Sequence, residues 1–333
     1  MSTEQLLTML LQADGPLSGE QISRELGVSR AAVWKQMEAL RAQGYAIASA
    51  PRRGYRLEQA PDVLHPGELR SRLTDCALGG ELVCLPTVDS TNTECKRRFL
   101  TGSSEGLVVL ADEQTGGRGR VGRSFLSLPG KGLYLSVLLQ PRLQPMEAVN
   151  LTAWAAVAVC DAVEEVCGVR PGIKWTNDLI LNGKKLGGIL TEMELEAETG
   201  ALRWIICGIG INCGHGPEDF PEELRPVATS LAMALGHPVR RAELAAALVR
   251  ALDRMYRRFP HDGLADYLAA YRRDCVTVGR QVQLLGRGEP QQAFAEAITE
   301  DFALAVRYPD GERAVVNAGE VSVRGICGYA DTE

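Results

Sequence analysis

Apolar residues recur at helical spacing through the first part of the chain. Leu6, Leu7, Leu10 and Leu11 share one face, and Gly15-Pro16 ends that helix. Ser18 is placed to cap a second, short helix, with Gln21 as its capping-box partner. Ile22 and Leu26 face inward there, and Gly27 breaks it. Ser29 then caps a third helix in which Val33, Met37 and Leu40 share a face, leaving Arg30, Trp34, Lys35 and Arg41 outside. Strand patterns follow around residues 45–47 and 55–57, joined by the turn Pro51-Arg52-Arg53-Gly54.

Beyond a linker at residues 58–66 the period changes. Leu82-Val83-Cys84-Leu85 reads as a strand running into Asp89-Ser90-Thr91-Asn92. From there Ser90 or Thr91 starts a helix through Phe99. Residues 107–111 and 133–139 form apolar strands, and residues 146–166 an apolar helix with Val149, Ala153, Ala156, Val157 and Cys160 inward. Residues 173–181 read as one strand interrupted by Lys174, Asn177 and Asp178. Asn182-Gly183 is a hairpin turn leading into a returning strand. Another strand, residues 204–207, ends in Gly208-Ile209-Gly210-Ile211-Asn212. Residues 213–228 read as a mobile loop, followed by helices at about 241–259 and 264–274. Short strand patterns then crowd residues 276–323, as in a compact β-barrel.

These elements predict an α+β multidomain chain with units at residues 1–60, 67–270 and 275–326. Three helices followed by a basic β-turn match a winged helix-turn-helix. Net charge is −6, which argues against a general nucleic-acid coat. Between Arg24 and Arg56, however, seven basic residues face two acidic ones. That patch makes Ser29, Arg30, Trp34, Lys35, Arg52 and Arg53 candidate DNA contacts. A small interaction module with the same fold is the alternative. The nine cysteines are odd in number and lack a Cys-x-x-Cys pair, which suits reduced thiols in a cytoplasm. The N-terminus lacks a signal-peptide pattern, and no run reads as a membrane span.

The strongest chemical signal is Gly116-Gly117-Arg118-Gly119-Arg120-Val121-Gly122-Arg123. Four glycines allow close backbone approach, and three arginines concentrate permanent charge that a polyanion would offset. An arginine-rich turn or a nucleic-acid arm is the alternative, but two apolar strands clamp this loop. It is not a phosphate-binding P-loop, because Gly-Lys-Ser/Thr is missing. Gln114 stands at its entrance and Phe125 at its exit. Lys174, Asn177 and Asp178 are costly inside an apolar segment unless paired or ligand-bound. Asp178 with Asn177 suits Mg²⁺, and Lys174 suits a phosphate; an Asn-Asp turn with a salt bridge is the alternative. Lys185 enters beside them, and Gly187-Gly188 leaves bare backbone for a ligand.

Taken in order, Asp89-Ser90-Thr91-Asn92, Gly117 to Arg123, Lys174-Trp175-Thr176-Asn177-Asp178-Leu179, Lys185-Leu186-Gly187-Gly188-Ile189-Leu190 and Gly208-Ile209-Gly210-Ile211-Asn212 resemble biotin–protein ligase. With the N-terminal unit, the chain resembles the bifunctional bacterial form, a ligase and biotin-operon repressor. The resemblance implies a central sheet like class II synthetases and a C-terminal SH3-like barrel. It implies that biotin and Mg-ATP give biotinyl-5′-adenylate, and that biotin passes to a lysine of a biotin carboxyl carrier protein of acetyl-CoA carboxylase. It implies operator DNA and a homodimer as partners.

Carried over by position, Ser90, Thr91, Asn92, Gln114, Gly117 and Gly188 would hold biotin, together with Arg118, Arg120 and Lys185. Arg118, Arg120, Arg123, Phe125, Lys174, Asn177 and Asn212 would hold ATP or the adenylate. Arg118 and Lys185 would carry catalysis, and Asp178 the Mg²⁺. Two residues depart from the family pattern: Thr176 stands where proline is usual, and Phe125 where tryptophan is common. Lipoate or octanoate ligase shares the central fold, and a regulator that only senses biotin is the reading from another class.

Overall fold

The computed structural model describes residues 3–50, 54–285, 289–317 and 322–324. Helices α1 (Thr3–Gln12), α2 (Gly19–Leu26) and α3 (Arg30–Ala42) precede a hairpin of β1 (Ala46–Ala50) and β2 (Gly54–Gln59). Their core is the predicted stripe: Leu6, Leu7, Leu10, Ile22, Val33, Met37 and Leu40 are buried. Ser18 and Ser29 each accept a backbone N–H of the helix they precede. The Gln21 side chain reaches forward to Glu25 instead of back, so only half the expected capping box forms. Arg41 is also not a free surface cation; its guanidinium donates to the Ile47 carbonyl, tying α3 to β1.

The linker is short, because α4 (Pro66–Arg70) begins within it. This helix joins the two units. Thr8 Oγ1 donates to the Gly67 carbonyl, Arg70 pairs with Glu4 at 2.7 Å, and buried Glu68 pairs with Arg240 at 2.6 Å. Burial pushes the Glu68 carboxyl up, and Arg240 opposes that.

The central unit is a mixed sheet. Its strands are β3 (Leu82–Val88), β4 (Val108–Gln114), β5 (Gly132–Leu139), β6 (Gly172–Lys174), β7 (Asp178–Leu181), β8 (Lys184–Leu195) and β9 (Leu202–Asn212), in spatial order β3-β4-β5-β9-β8-β7-β6. Helix α5 (Thr91–Leu100) covers one face at the β3–β4–β5 side through Cys95, which packs with Val109, Leu138 and Ile206. Helices α6 (Pro145–Ala148) and α7 (Leu151–Cys167) lie on the other face, with a later helix over Arg241–Arg258. The expected single helix is therefore two, and Val149 at the break is 45% exposed rather than inward. Against expectation, residues 145–167 are apolar and long enough by composition to cross a bilayer. Here most of that stretch is packed inside the protein. Trp154 on α7 is fully buried and stacks on Tyr267 at 4.0 Å. Truncating such a side chain to alanine costs about 3–5 kcal/mol.

Residues 173–181 are not one strand. The chain turns at residues 175–177, so β6 and β7 pair antiparallel, Lys174 opposite Asp178. A strand broken by three polar groups would have buried them. The turn instead leaves Asn177 and Asp178 half-buried at its tip. The Asn182-Gly183 turn forms as predicted, with φ of 51° and 73°.

Short helix α8 (Leu231–Leu235) precedes α9 (Arg241–Arg258) and α10 (Leu264–Asp274). The segment before α8 is held rather than loose. Its His215 and Phe220 are buried and stacked at 5.1 Å, and Lys185 N–H donates to Val227 O. Arg241, 2% exposed, gathers the linker onto the sheet: it bonds Asp62 through side chain and carbonyl, Asp112 on β4 and the Gly132 carbonyl.

The last unit is an antiparallel sheet of β10 (Gln281–Leu285), β11 (Gln291–Ile298), β12 (Leu304–Arg307), β13 (Arg313–Val316) and β14 (Ser322–Arg324), in order β13-β12-β11-β10-β14. Residues 276–278, expected as a strand, are bend and turn. Trp175 anchors this sheet to the site hairpin, donating through Nε1 to Phe302 O and through its backbone N–H to Thr277 Oγ1.

Candidate active site

The strand register sets a floor of glycines on the face that α5 partly covers. Gly188 lies opposite Gly210, and Gly208 lies between Leu190 and Ser136. Directly opposed residues share a face, so the three glycines clear one continuous strip. Two groups use the cleared space. The Asn92 amide sits where a Cβ of residue 208 would stand, and the Phe125 ring lies 2.6 Å from the position of a Cβ on residue 210.

At one end of the strip the groups around Thr91 and Gln114 are uncharged hydrogen-bonding groups. The Thr91 N–H and hydroxyl both donate to Gln114 Oε1, at 2.9 and 3.1 Å. Gln114 Nε2 donates to Ser127 Oγ at 2.9 Å. Ser136 Oγ lies 2.7 Å from Thr91 Oγ1 and 2.6 Å from Asn92 Oδ1. Ser90, at the N-cap of α5, is buried, and its side chain makes no capping bond. Gly117 is held against this network; a Cβ there would meet the Phe125 carbonyl and Ser127 Oγ. Interlocked hydroxyls and amides that both donate and accept make this end suit a neutral, hydrogen-bonding head group.

The other end is charged. Lys185 Nζ lies 2.7 Å from Asp178 Oδ1. Arg120 Nη1 donates to Thr176 Oγ1 at 2.6 Å and to Asn177 Oδ1 at 3.1 Å. Burial lowers the Arg120 pKa and Asp178 works against that, but a guanidinium remains charged throughout. Asn177 Nδ2 donates to the Ile189 carbonyl, fixing the hairpin tip. Lys174 is buried at the base of that hairpin. Arg118 reaches across the strip and bonds Glu192 Oε2 at 3.0 Å and Thr93 Oγ1 at 3.3 Å. Arg123 is exposed at the loop's exit. Asn212 points to the neighbouring segment, donating to the Thr229 carbonyl.

The structure thus brings together Thr91, Asn92 and Gln114 at one end, and Arg120, Asn177, Asp178 and Lys185 at the other. Among the described residues no three His, Cys, Asp or Glu side chains gather as a metal cage. One carboxylate, Asp178, already paired with Lys185, fits an ion delivered on a nucleotide better than a resident one.

The sequence did not point to Ser127, Ser136, Thr176 or Glu192 as members of this network. Ser136 carries a retrievable signal, being the one serine in a strand buried at every position. Glu192 carries none, because it is one of several acids in Thr-Glu-Met-Glu-Leu-Glu.

In the N-terminal unit, Ser29 is occupied as a cap, whereas Trp34 is 58% exposed and Lys35 is exposed beside it. Arg30 pairs with Glu20 at the surface. Arg52 and Arg53 lie outside the described residues, as does Cys327. The other eight cysteines are free thiols, and burial pushes Cys207 up to about 12.

Residues 84–212 match the biotin/lipoate A/B protein ligase family, and residues 3–56 match a helix-turn-helix domain family. The chain is 35% identical to the bifunctional ligase/repressor BirA of Bacillus subtilis (strain 168), covering 91% of this chain and 92% of the relative. It is 31% identical to that of Escherichia coli (strain K12), covering 97% and 98%. Its fold is similar to the biotin protein ligase of Aquifex aeolicus solved with biotin and ATP, at 30% identity and TM-score 0.62, covering 74% of this chain and 99% of that one.

Proposed function

The chain belongs to the biotin protein ligase family, in its ligase/repressor form, and from that premise we propose the following reaction and site. Biotin and Mg-ATP react to biotinyl-5′-adenylate: a carboxylate oxygen bonds the α-phosphorus and pyrophosphate leaves. The ε-amine of a lysine on a biotin carboxyl carrier protein then attacks the acyl carbon, and AMP leaves.

The observation carrying this reading is the polarity of the glycine strip. A neutral hydrogen-bonding network stands at one end, and Lys185 with Arg120 at the other. Biotin has that polarity, a neutral ureido ring and a carboxylate tail. Ser90, Thr91, Asn92 and Gln114 receive the ring, with backbone at Gly117 and Gly188 against it. Lys185 bridges the carboxylate and the α-phosphate, two anions that repel until offset by fixed cations. Arg118, Arg120 and Arg123 hold phosphates, with Lys174 and Asn177 beside them. Phe125 and Asn212 flank the nucleoside. Asp178 would be the carboxylate that holds magnesium brought with ATP, which would offset phosphate charge there. No side-chain nucleophile is required.

We assign residues 1–60 to operator recognition through Trp34, Lys35, Arg30 and the Arg52-Arg53 turn, residues 67–270 to catalysis, and residues 275–326 to an SH3-like barrel. On its β7 side the part of β8 past Gly188 has no strand partner among the described residues, which supports pairing of two copies into a dimer along that edge. A cytoplasmic setting suits the free thiols.

Pyrophosphate exchange into ATP tests the assignment. Biotin should support it, and lipoate and octanoate should not. Exchange with lipoate would transfer the chain to the sister activity. No exchange with any acid, beside tight biotin binding, would leave a sensor. Biotin-dependent binding to the organism's own biotin promoters tests repression.

A further inference from the structure

Arg118 is held on the far side of the strip by one carboxylate. Glu192 Oε2 accepts from Arg118 Nη2 at 3.0 Å and from Asn92 Nδ2 at 2.7 Å. Glu192 lies on β8 in the same pleat series as Gly188 and Leu190, so it belongs to the ligand face. Its oxygen therefore joins the glycine–arginine loop to the first turn of α5. At the other wall Arg120 is fixed to Thr176 and Asn177. The loop is strapped across the strip at two points. Both bonds of Arg118 come from Nη2, which leaves Nε and Nη1 for an anion lying below.

We propose that Glu192 is a positioning residue: it anchors Arg118 so that the loop stays closed over the acyl-adenylate and slows its escape. This rests on the ligase reading for its ligand but not for the anchor itself. The pair is partly exposed, with side-chain accessibilities of 47% and 33%. Exposed pairs are weak, so a severalfold effect is expected and a thousandfold one is not.

The test uses Glu192→Gln, which removes the charge facing Arg118 and keeps a carbonyl oxygen for Asn92. In the ligand-free full-length protein, trypsin should cut after Arg118 about threefold to fivefold faster in the variant, with the melting temperature within a degree or two. Preloaded biotinyl-adenylate should dissociate faster by a similar factor. Raising salt should speed release from the wild type and change the variant less. Equal cleavage rates, or slower adenylate release from the variant, overturn the proposal. If the wild type forms no adenylate, the ligase reading fails, while the cleavage comparison still decides the anchor.

Discussion

Lys185 and Asp178 face each other across adjacent strands, Nζ to Oδ1 at 2.7 Å, at the charged end of the glycine strip. The β7–β8 turn Asn182-Gly183 makes this pairing possible, because its tight reversal sets β7 against β8. In the proposed reaction a lysine so held would meet both the carboxylate and the α-phosphate. Lys185→Ala should lower pyrophosphate exchange by about 10²-fold or more, the scale of losing a preorganised charge in a reaction centre. The circular dichroism spectrum should stay that of the wild type. Near-normal exchange would remove Lys185 from the reaction.

Gly208 admits no side chain, because the Asn92 amide occupies the volume. Gly208→Ala should destabilise the protein by about 1–3 kcal/mol through overpacking and should break the Asn92–Ser136 contact. Biotin binding should weaken with it. Gly214→Ala is the control, since its added Cβ would come no closer than 3.8 Å to a neighbouring group, the Lys131 carbonyl. Calorimetric titration with biotin and urea melts of both variants distinguish the two sites. Equal behaviour would mean that the strip is not the binding floor.

Thr176 gives Arg120 a hydroxyl acceptor that proline cannot provide. Thr176→Val should raise the KM for ATP about tenfold, as expected for loss of a hydrogen bond to a charged group. Thr176→Ser should stay within about twofold of the wild type. If valine and serine behave alike, the hydroxyl is incidental.

His215 is 1% exposed, with neither ring nitrogen bonded, and burial lowers its pKa to about 4. An unfolded histidine titrates near about 6.5, so below that pH the unfolded chain takes up a proton that the folded one refuses. Stability from this group is therefore complete above about pH 6.5 and declines as pH falls towards 4. About 2–3 kcal/mol should be lost by pH 4.5. His215→Phe keeps an aromatic against Phe220 and should flatten that part of the profile. Parallel wild-type and variant slopes in urea titrations would refute the assignment.

Local signals carried much of this fold into the sequence. Caps at Ser18 and Ser29, the Asn182-Gly183 turn and the apolar stripe of the first three helices each depend on neighbours a few residues away. The same holds for the clustering of arginines in one loop. What the sequence hid depends on register. The hairpin at residues 175–177 looks like a strand because both its arms are apolar, and only pairing shows where it turns. Ser136, Thr176 and Glu192 acquire meaning from residues 40 or more positions distant: Thr91 and Asn92, Arg120, and Arg118. No periodicity encodes such distances.

The Arg241 hub bears on where this polypeptide can be shortened. A version beginning at residue 61 keeps Asp62, and with it a carboxylate and a carbonyl for the buried guanidinium. A version beginning only a few residues later leaves that cation facing Asp112 and Gly132 alone. Because Asp112 still offsets the charge, the loss should be smaller than the about 3–5 kcal/mol of a buried charge left with no partner. The seam between the helix-turn-helix unit and the mixed-sheet unit is thus not a free cut line: the sheet unit owns the last residues of the tether.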